Sequence, residues 1–214
     1  MNLTSRSATV HAAVLGIAAL CLSGCISLLP KEKPVQMYRF GAGSATVAPA
    51  TPSVATGPRF TVRAAPISFD RAAATDRILT VTGDRTAYIS GARWVTSASS
   101  LFEAAVTRAF QTQGRQARLL AQGEPSAADL VLKLDVRTFE ARYAHGPGSA
   151  PTVAIEVYAA LVDRKDPANG GSRVFQATSA AGSNSVHAIA EAFDAAVATV
   201  LGQITTWANA RGQG

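Results

Sequence analysis

The chain has 214 residues, of which 48% are hydrophobic and 16% charged, and its formal net charge is +6. This length and apolar content are enough for one domain with a sizeable hydrophobic core. The arginines are scattered without a dense basic run, which argues against a nucleic-acid partner; a solvated surface, or a basic face opposite anionic lipid headgroups, explains them better.

The N-terminal segment has the features of an export signal. Arg6 and the amino terminus supply positive charge, and an apolar stretch from Ala12 to Leu22 follows. This stretch is shorter than the roughly 20 residues that cross a bilayer as a helix, so it predicts a cleaved signal over residues 1–24. Its last residues, Leu22-Ser23-Gly24-Cys25, resemble the bacterial lipobox. That resemblance implies cleavage between Gly24 and Cys25 and covalent lipid on Cys25; a plain secretory signal with an incidental cysteine is the alternative.

Cysteine usage is consistent with a lipid anchor. The two cysteines are Cys21, which would leave with the signal, and Cys25, which would carry acyl chains such as palmitate. The mature chain would then keep no thiol for a disulfide, a metal or a nucleophile. One acyl chain anchors a protein marginally and two or more anchor it stably. We expect residues 25–34 to be a tether and residues 35–214 to be a single domain.

The first half of this domain reads mainly as strands. Two-residue periodicity predicts strands over Val35–Phe40 and Arg59–Ala64, joined by an uncharged segment at residues 41–58 that we expect to be flexible. Arg77–Val81 and Thr86–Ser90 flank the turn residues Gly83-Asp84 and predict a hairpin.

An amphipathic helix and a strand meander follow. Ser97, Ser99 or Ser100 can cap a helix that ends at Gly114. A short strand is predicted at residues 117–121, and alternating apolar residues predict long strands from residue 130 to 143 and from 153 to 161, with a shorter one over 173–178. The apolar phase shifts by one residue after Arg137-Thr138, which predicts a bulge in the first long strand.

A long helix closes the chain. Ser185 is a suitable N-cap, and apolar residues recur at spacings of three and four up to Trp207. The elements together predict an α+β fold, in which a mainly antiparallel sheet packs against two amphipathic helices in a single domain.

The sequence offers little for catalysis or metal binding. It contains three histidines, of which His11 leaves with the signal, His145 stands in a Gly/Pro turn and His187 begins the last helix. These positions fit neither a zinc site nor a catalytic set, and there is no phosphate-binding loop of the P-loop type. We therefore expect a protein without enzymatic activity, metal or cofactor, apart from the lipid on Cys25.

The aromatic residues fall mostly on periodic faces and are best explained as core. Trp94 is among these core candidates, but it also stands beside Arg93 at a predicted junction between strand and helix. Aromatic and arginine side chains are enriched at binding surfaces. We therefore hold Arg93 and Trp94 as a candidate contact with a partner or with lipid.

The order of several motifs resembles the ABC-type transport auxiliary lipoproteins, which accompany Mce-type lipid transport systems. The resemblance covers nearly the whole mature chain after the lipobox. It is carried by Tyr38-Arg39-Phe40, Thr75-Asp76-Arg77-Ile78-Leu79, Tyr88-Ile89-Ser90-Gly91-Ala92-Arg93-Trp94, Phe139-Glu140-Ala141, and Ala190-Glu191-Ala192-Phe193-Asp194-Ala195-Ala196-Val197 through Trp207.

The resemblance implies an accessory protein anchored in the outer membrane, facing the periplasm and docked on an Mce-domain protein, with the oligomeric state open and a homo-oligomer among the options. Ile26 fits this destination, because the residue after the cysteine is not the Asp that favours inner-membrane retention in enteric bacteria. The alternative function is an outer-membrane assembly or lipid-binding chaperone lipoprotein, which predicts an apolar cavity between sheet and helices.

Overall fold

Nine strands and two helices form the described part of the chain, which comprises residues 34–42, 60–163, 165–166 and 170–211 of a computed structural model. The helices are α1 (Ala98–Gln113) and α2 (Val186–Arg211). The strands are β1 (Gln36–Tyr38), β2 (Phe60–Ala64), β3 (Ser68–Phe69), β4 (Arg77–Thr82), β5 (Arg85–Trp94), β6 (Ala117–Leu119), β7 (Leu130–Arg142), β8 (Thr152–Asp163) and β9 (Gly171–Ala180). The predicted signal, nearly all of the tether, and residues 43–58 of the predicted flexible segment lie outside the described residues.

Strand β7 is the centre of the sheet. One of its edges pairs antiparallel with β8 over its whole length, and β8 pairs antiparallel with β9. The other edge pairs parallel with three short strands in succession, β2, β3 and β4. Beyond these, β2 pairs with β6, and β4 pairs with β5, which pairs with β1. Strands β1 and β6 are therefore edge strands on one side of β7, and β9 is the edge on the other.

One face of the sheet carries the hydrophobic core. The inward residues of β7 are apolar at every second position until the register shifts between Val136 and Thr138, after which Phe139 and Ala141 continue the buried set. This shift is the predicted bulge, and it keeps the apolar residues on the helix side of a bent strand. The ring of Phe139 lies 4.8–6.4 Å, between centroids, from four other phenylalanine rings: Phe40, Phe69, Phe102 and Phe193.

Both helices begin at a serine side chain that caps the first turn. Oγ of Ser97 accepts a hydrogen bond from the amide of Ser100 at 3.2 Å, which makes Ser97 the N-cap of α1, and Gly114 ends the helix. Oγ of Ser185 likewise accepts from the amide of Ala188, as predicted for α2. Helix α2 is long and apolar enough to cross a bilayer, but 61% of its most apolar window is buried in the fold, so here it is a core helix.

The predicted fold class is confirmed: the fold is α+β, with two helices on a mostly antiparallel sheet. The parallel pairings were not predicted, and each spans two or three residue pairs. The predicted hairpin is present, but its second strand runs on to Trp94 instead of ending at Ser90. Gly91, with φ of 70°, lies within this extension, a conformation that glycine adopts without strain.

Candidate surface for a partner or a lipid

The predicted lipidation site, Cys25, and the cleavage position at Gly24 lie outside the described residues and stay predictions. The described chain begins just before β1, at the edge of the sheet. Val35 follows Cys25 by ten residues, and ten residues of fully extended chain reach at most about 36 Å. Among the strands, β1 is therefore the one most closely tied to the predicted anchor.

Arg93 and Trp94, the candidate contact residues, lie on opposite faces of β5. Trp94 is 2% exposed, and its indole packs edge-to-face on Phe40 and Phe193 with centroid separations of 4.9 and 5.2 Å. The indole is thus a core residue with almost no surface for a partner. The side chain of Arg93 is 47% exposed, and its guanidinium lies 2.8 Å from Oδ2 of Asp76. The surface available for the predicted contact is that of Arg93.

Several exposed apolar residues are neighbours of Arg93 in strand register or in sequence. Met37 is its register partner across the parallel β1–β5 pair, so the two side chains share a face of the sheet. Val35 and Arg39 are two residues on either side of Met37, and Val95 is two residues after Arg93. The exposed fractions of Val35, Met37 and Val95 are 47%, 61% and 53%. We call Val35, Met37, Arg39, Arg93 and Val95 the β1-edge patch.

The patch has a basic border. Arg77 is the register partner of Arg93 across the β4–β5 pair, and its guanidinium lies 3.8 Å above the ring of Tyr88. Arg39 is exposed at the end of β1. Together with Arg93, these two arginines give three positive charges, and Asp76, which is paired with Arg93, gives one negative charge. Positive charge therefore exceeds negative charge in this part of the described surface.

The sheet surface over β7 and β8 differs from the patch in how its charges are paired. On β7 the guanidinium of Arg137 bonds Asp135 at 3.0 Å and lies 4.8 Å from the ring centre of Tyr158, and Arg142 bonds Glu140 at 2.7 Å. Each of these arginines has its own acidic partner. The face over β7 and β8 is therefore polar and locally neutralised, unlike the patch.

Two open grooves lie at the margins of the sheet and helices. One, of about 780 Å³, is formed by α1 and the chain around β2 and β6, with Arg63, Ile67, Glu103 and Leu120 among its lining residues. The other, of about 840 Å³, lies between β9 and α2 beside Phe175 and Trp207. The lipid-chaperone alternative predicts an apolar cavity between sheet and helices, and both of these grooves are open to solvent.

Several hydrogen-bond donors surround the carboxylate of Glu124 and lower its pKa. The Arg118 guanidinium hydrogen-bonds its carboxylate, the amide of Ala121 and the hydroxyl of Ser126 also donate to it, and together they lower the pKa of Glu124 to about 2. The amide and hydroxyl of Thr61 lower the pKa of Asp129 in the same way. These carboxylates are acceptors that hold loops beside β2 and β6, and they fit a structural role.

The remaining chemical groups are dispersed. His145 is exposed in the turn after β7, and Nε2 of His187 lies 3.3 Å from Oε1 of Glu191 on the surface of α2. Within the described ranges, no three or more His, Cys, Asp or Glu side chains are grouped so that they could hold a metal ion.

The fold and sequence match known proteins. The family model described as "ABC-type transport auxiliary lipoprotein component" matches residues 44–205. The chain belongs to this family. None of the curated proteins searched matches this chain.

Solved structures agree with this auxiliary lipoprotein assignment. A Xanthomonas campestris protein of the family DUF330 is 29% identical, with a TM-score of 0.63 over 74% of this chain and 90% of that one. An uncharacterized protein has a TM-score of 0.62 at 12% identity, over 82% of this chain and 99% of its own. A hypothetical protein from Chlamydia trachomatis has a TM-score of 0.51 at 9% identity, over 72% and 98%. The last two likenesses show the fold alone.

The match to the auxiliary lipoprotein family begins after β1, so Cys25, Val35, Met37 and Arg39 precede it, whereas Arg93 and Val95 of the patch lie within it. Sequence reasoning missed Met37 as a surface residue, although a signal was present. If Tyr38 and Phe40 are on one face of a strand, Met37 must be on the other. The segment was predicted to be a strand of the sheet, but nothing in the sequence indicated that it is an edge strand.

Proposed function

We propose that this auxiliary lipoprotein is the outer-membrane-anchored docking component of an Mce-type ABC lipid transport system. The observation that carries the proposal is the family match over residues 44–205, following a lipobox at Leu22-Ser23-Gly24-Cys25. The match supports association with a transporter. The lipobox supports a membrane anchor on Cys25.

The proposed location is the inner leaflet of the outer membrane, with the domain in the periplasm. Ile26 after the cysteine supports it, because this position lacks the retention residue Asp. In this role the protein positions the outer-membrane end of a lipid conduit. Lipid would pass through the Mce component, and a separate ATPase would supply the energy.

The proposed role is structural and not enzymatic. The described histidines are exposed and far apart along the chain, and the carboxylate of Glu124, whose pKa is lowered, is held by loop donors. A docking role needs no cofactor beyond the covalent lipid on Cys25. The function would depend on where the domain is held and on which surface it offers to its partner.

Binding to the Mce protein tests the proposal. The lipidated protein, purified in detergent, is presented to the Mce-domain protein encoded beside it, and association is followed by co-purification and by interferometry. We expect specific binding that an Mce-domain protein from an unrelated operon does not reproduce. If the neighbouring Mce protein does not bind, the docking role is wrong.

A further inference from the structure

We propose that the β1-edge patch rests against the anionic phospholipid headgroups of the membrane that holds Cys25, so that the sheet stands with its β1 edge toward the bilayer. This inference rests on the proposed lipid anchor and adds an orientation to it. The occupant of the patch is the lipid surface itself, and the phosphate groups are the chemistry that it recognises.

The distribution of exposed apolar side chains is the first argument. Single exposed apolar residues are ordinary on protein surfaces, but a cluster needs an explanation. The described residues contain four large exposed hydrophobic side chains, and three of them, Val35, Met37 and Val95, belong to the patch. The fourth, Val174, is on β9, at the opposite edge of the sheet. At the boundary between headgroups and acyl chains, such side chains can be removed from water without a complementary groove on a partner protein.

Charge is the second argument. Arg39 and Arg93 lie within the patch and Arg77 borders it, while Asp76 is bonded to Arg93. Basic side chains next to apolar ones fit an anionic bilayer surface, where the arginines meet phosphates and the apolar groups reach the boundary with the acyl chains. Over β7, by contrast, Arg137 and Arg142 are each neutralised by a carboxylate on their own strand.

Reach is the third argument. Val35 follows Cys25 by ten positions, a path of at most about 36 Å, so the anchor can bring this edge to the bilayer. The reach permits the orientation, and the exposed apolar groups and the charge favour the β1 edge over the β9 edge. Five strand spacings separate β1 from β9 along the order β1-β5-β4-β7-β8-β9, which is roughly 24 Å at about 4.8 Å a step. An edge-on domain therefore leaves β8 and β9 away from the membrane and accessible from the periplasm.

A nitroxide label on Met37→Cys tests this orientation. Cys21 leaves with the signal and lipid occupies Cys25, so the introduced thiol is the single reactive one in the mature lipidated protein. The control is Val174→Cys, which is also exposed and apolar but lies on β9. Both proteins are reconstituted into vesicles of phosphatidylethanolamine and phosphatidylglycerol, and the collision rates of the label with an aqueous nickel chelate and with oxygen are measured.

We expect the nickel accessibility of the Met37 label to fall several-fold on reconstitution from detergent into vesicles, while that of the Val174 label stays unchanged. Phosphatidylcholine vesicles, or the additional changes Arg39→Gln and Arg93→Gln, should reverse most of this protection. Equal accessibility of the two labels would overturn the inference, as would equal protection in neutral vesicles.

Two further outcomes separate this inference from the proposals on which it depends. If protection at Met37 appears after addition of the Mce-domain protein and not before, the patch is a protein interface and the membrane orientation is wrong. If the protein does not float with vesicles at all, the lipid anchor itself is wrong. Flotation is measured before any label is read, so the two failures are distinguishable.

Discussion

The backbone amide of Gly41 donates a hydrogen bond of 2.6 Å to Oδ1 of Asp194, a residue 153 positions later in the chain. This bond joins the chain just after β1 to the N-terminal half of α2. Because hydrogen bonds to charged acceptors stabilise more than neutral ones, Asp194→Ala should lower the free energy of unfolding by about 1–3 kcal/mol. Urea unfolding followed by circular dichroism measures this loss. Asp194→Asn keeps an acceptor and should lose less; equal losses in the two variants would contradict the role of this bond.

Gly41 should not tolerate a side chain. Its φ is 69°, and a Cβ placed on it would lie 2.5 Å from Cβ of Ala105 on α1. Gly41→Ala should therefore destabilise the protein by the roughly 1–2 kcal/mol of a left-handed alanine and by a further overpacking cost of about 1–3 kcal/mol.

Gly91 is a matched control for Gly41. Its φ is 70°, yet a Cβ there meets nothing within 4 Å. Gly91→Ala thus reports the backbone strain alone and should cost less than Gly41→Ala in the same unfolding measurement. Adding Ala105→Gly to Gly41→Ala should recover part of the difference. Equal losses of unfolding free energy at Gly41 and Gly91 would mean that Ala105 on α1 does not restrict the side chain at position 41.

Asn209 links the C-terminal part of α2 to the connection between α1 and β6. Its Oδ1 accepts from the amides of Gln116 and Ala117 at 3.0 and 3.1 Å, and its Nδ2 donates to the carbonyl of Gln113 at 2.9 Å. Asn209→Ala should lower the unfolding free energy by about 1–3 kcal/mol, since it leaves several backbone groups without partners. Gln203→Ala, an exposed change on the same helix, should stay within about 0.5 kcal/mol. A neutral result at Asn209 would contradict the linking role.

Glu124 should make stability fall at acid pH. Its folded pKa is lowered from 4.5 to about 2, first by Arg118, so its contribution is fully present above pH 4.5 and is lost as the pH falls through about 2. Glu124→Gln should therefore flatten the dependence of the urea midpoint on pH across this window. Arg118→Met should move the pKa of Glu124 back toward its ordinary value, as read by carboxyl NMR. An unchanged pH profile in Glu124→Gln would show that other groups set the acid sensitivity.

The anchor prediction has its own pair of variants. Cys25→Ala should fold normally, because the described domain begins beyond the tether, and should leave the membrane fraction because no acyl chain can be attached. Cys21→Ala changes the other cysteine, within the predicted signal, and should remain in membranes. Fractionation with circular dichroism checks both. Retention of Cys25→Ala in membranes would mean that the anchor has been misassigned.

Patterns within single elements were readable from the sequence, and relations between distant elements were not. The slip after Arg137-Thr138, the hairpin around Gly83-Asp84 and the Ser185 cap are local features, and each is present. The parallel pairings of β7 with β2, β3 and β4 span only two or three residue pairs each. Periodicity predicted β2 and β4 as strands, but it does not indicate which strand they pair with. Their pairing depends on tertiary structure.

The candidate surface shows the same limit. Periodicity favoured a core position for Trp94. The second strand of the hairpin was expected to end at Ser90, however, so a contact with a partner or lipid stayed open. Once β5 reaches Trp94, alternation places Arg93 outside and Trp94 inside. Met37 then becomes a neighbour of Arg93 through a parallel register that the sequence does not reveal.

The pairing of β7 with β2, β3 and β4 has a consequence for how the domain folds. The contacts of β7 with β8, of β8 with β9, and of α2 with both are made within residues 130–211, whereas β2 reaches β7 across 68 positions between Val62 and Leu130. Closing a long loop costs more entropy than closing a short one, and non-local pairings form more slowly. The C-terminal half should therefore assemble first and present the free edge of β7 as a template, on which the N-terminal strands are added. The edge that faces the membrane in our proposal would then be added after the C-terminal strands have formed.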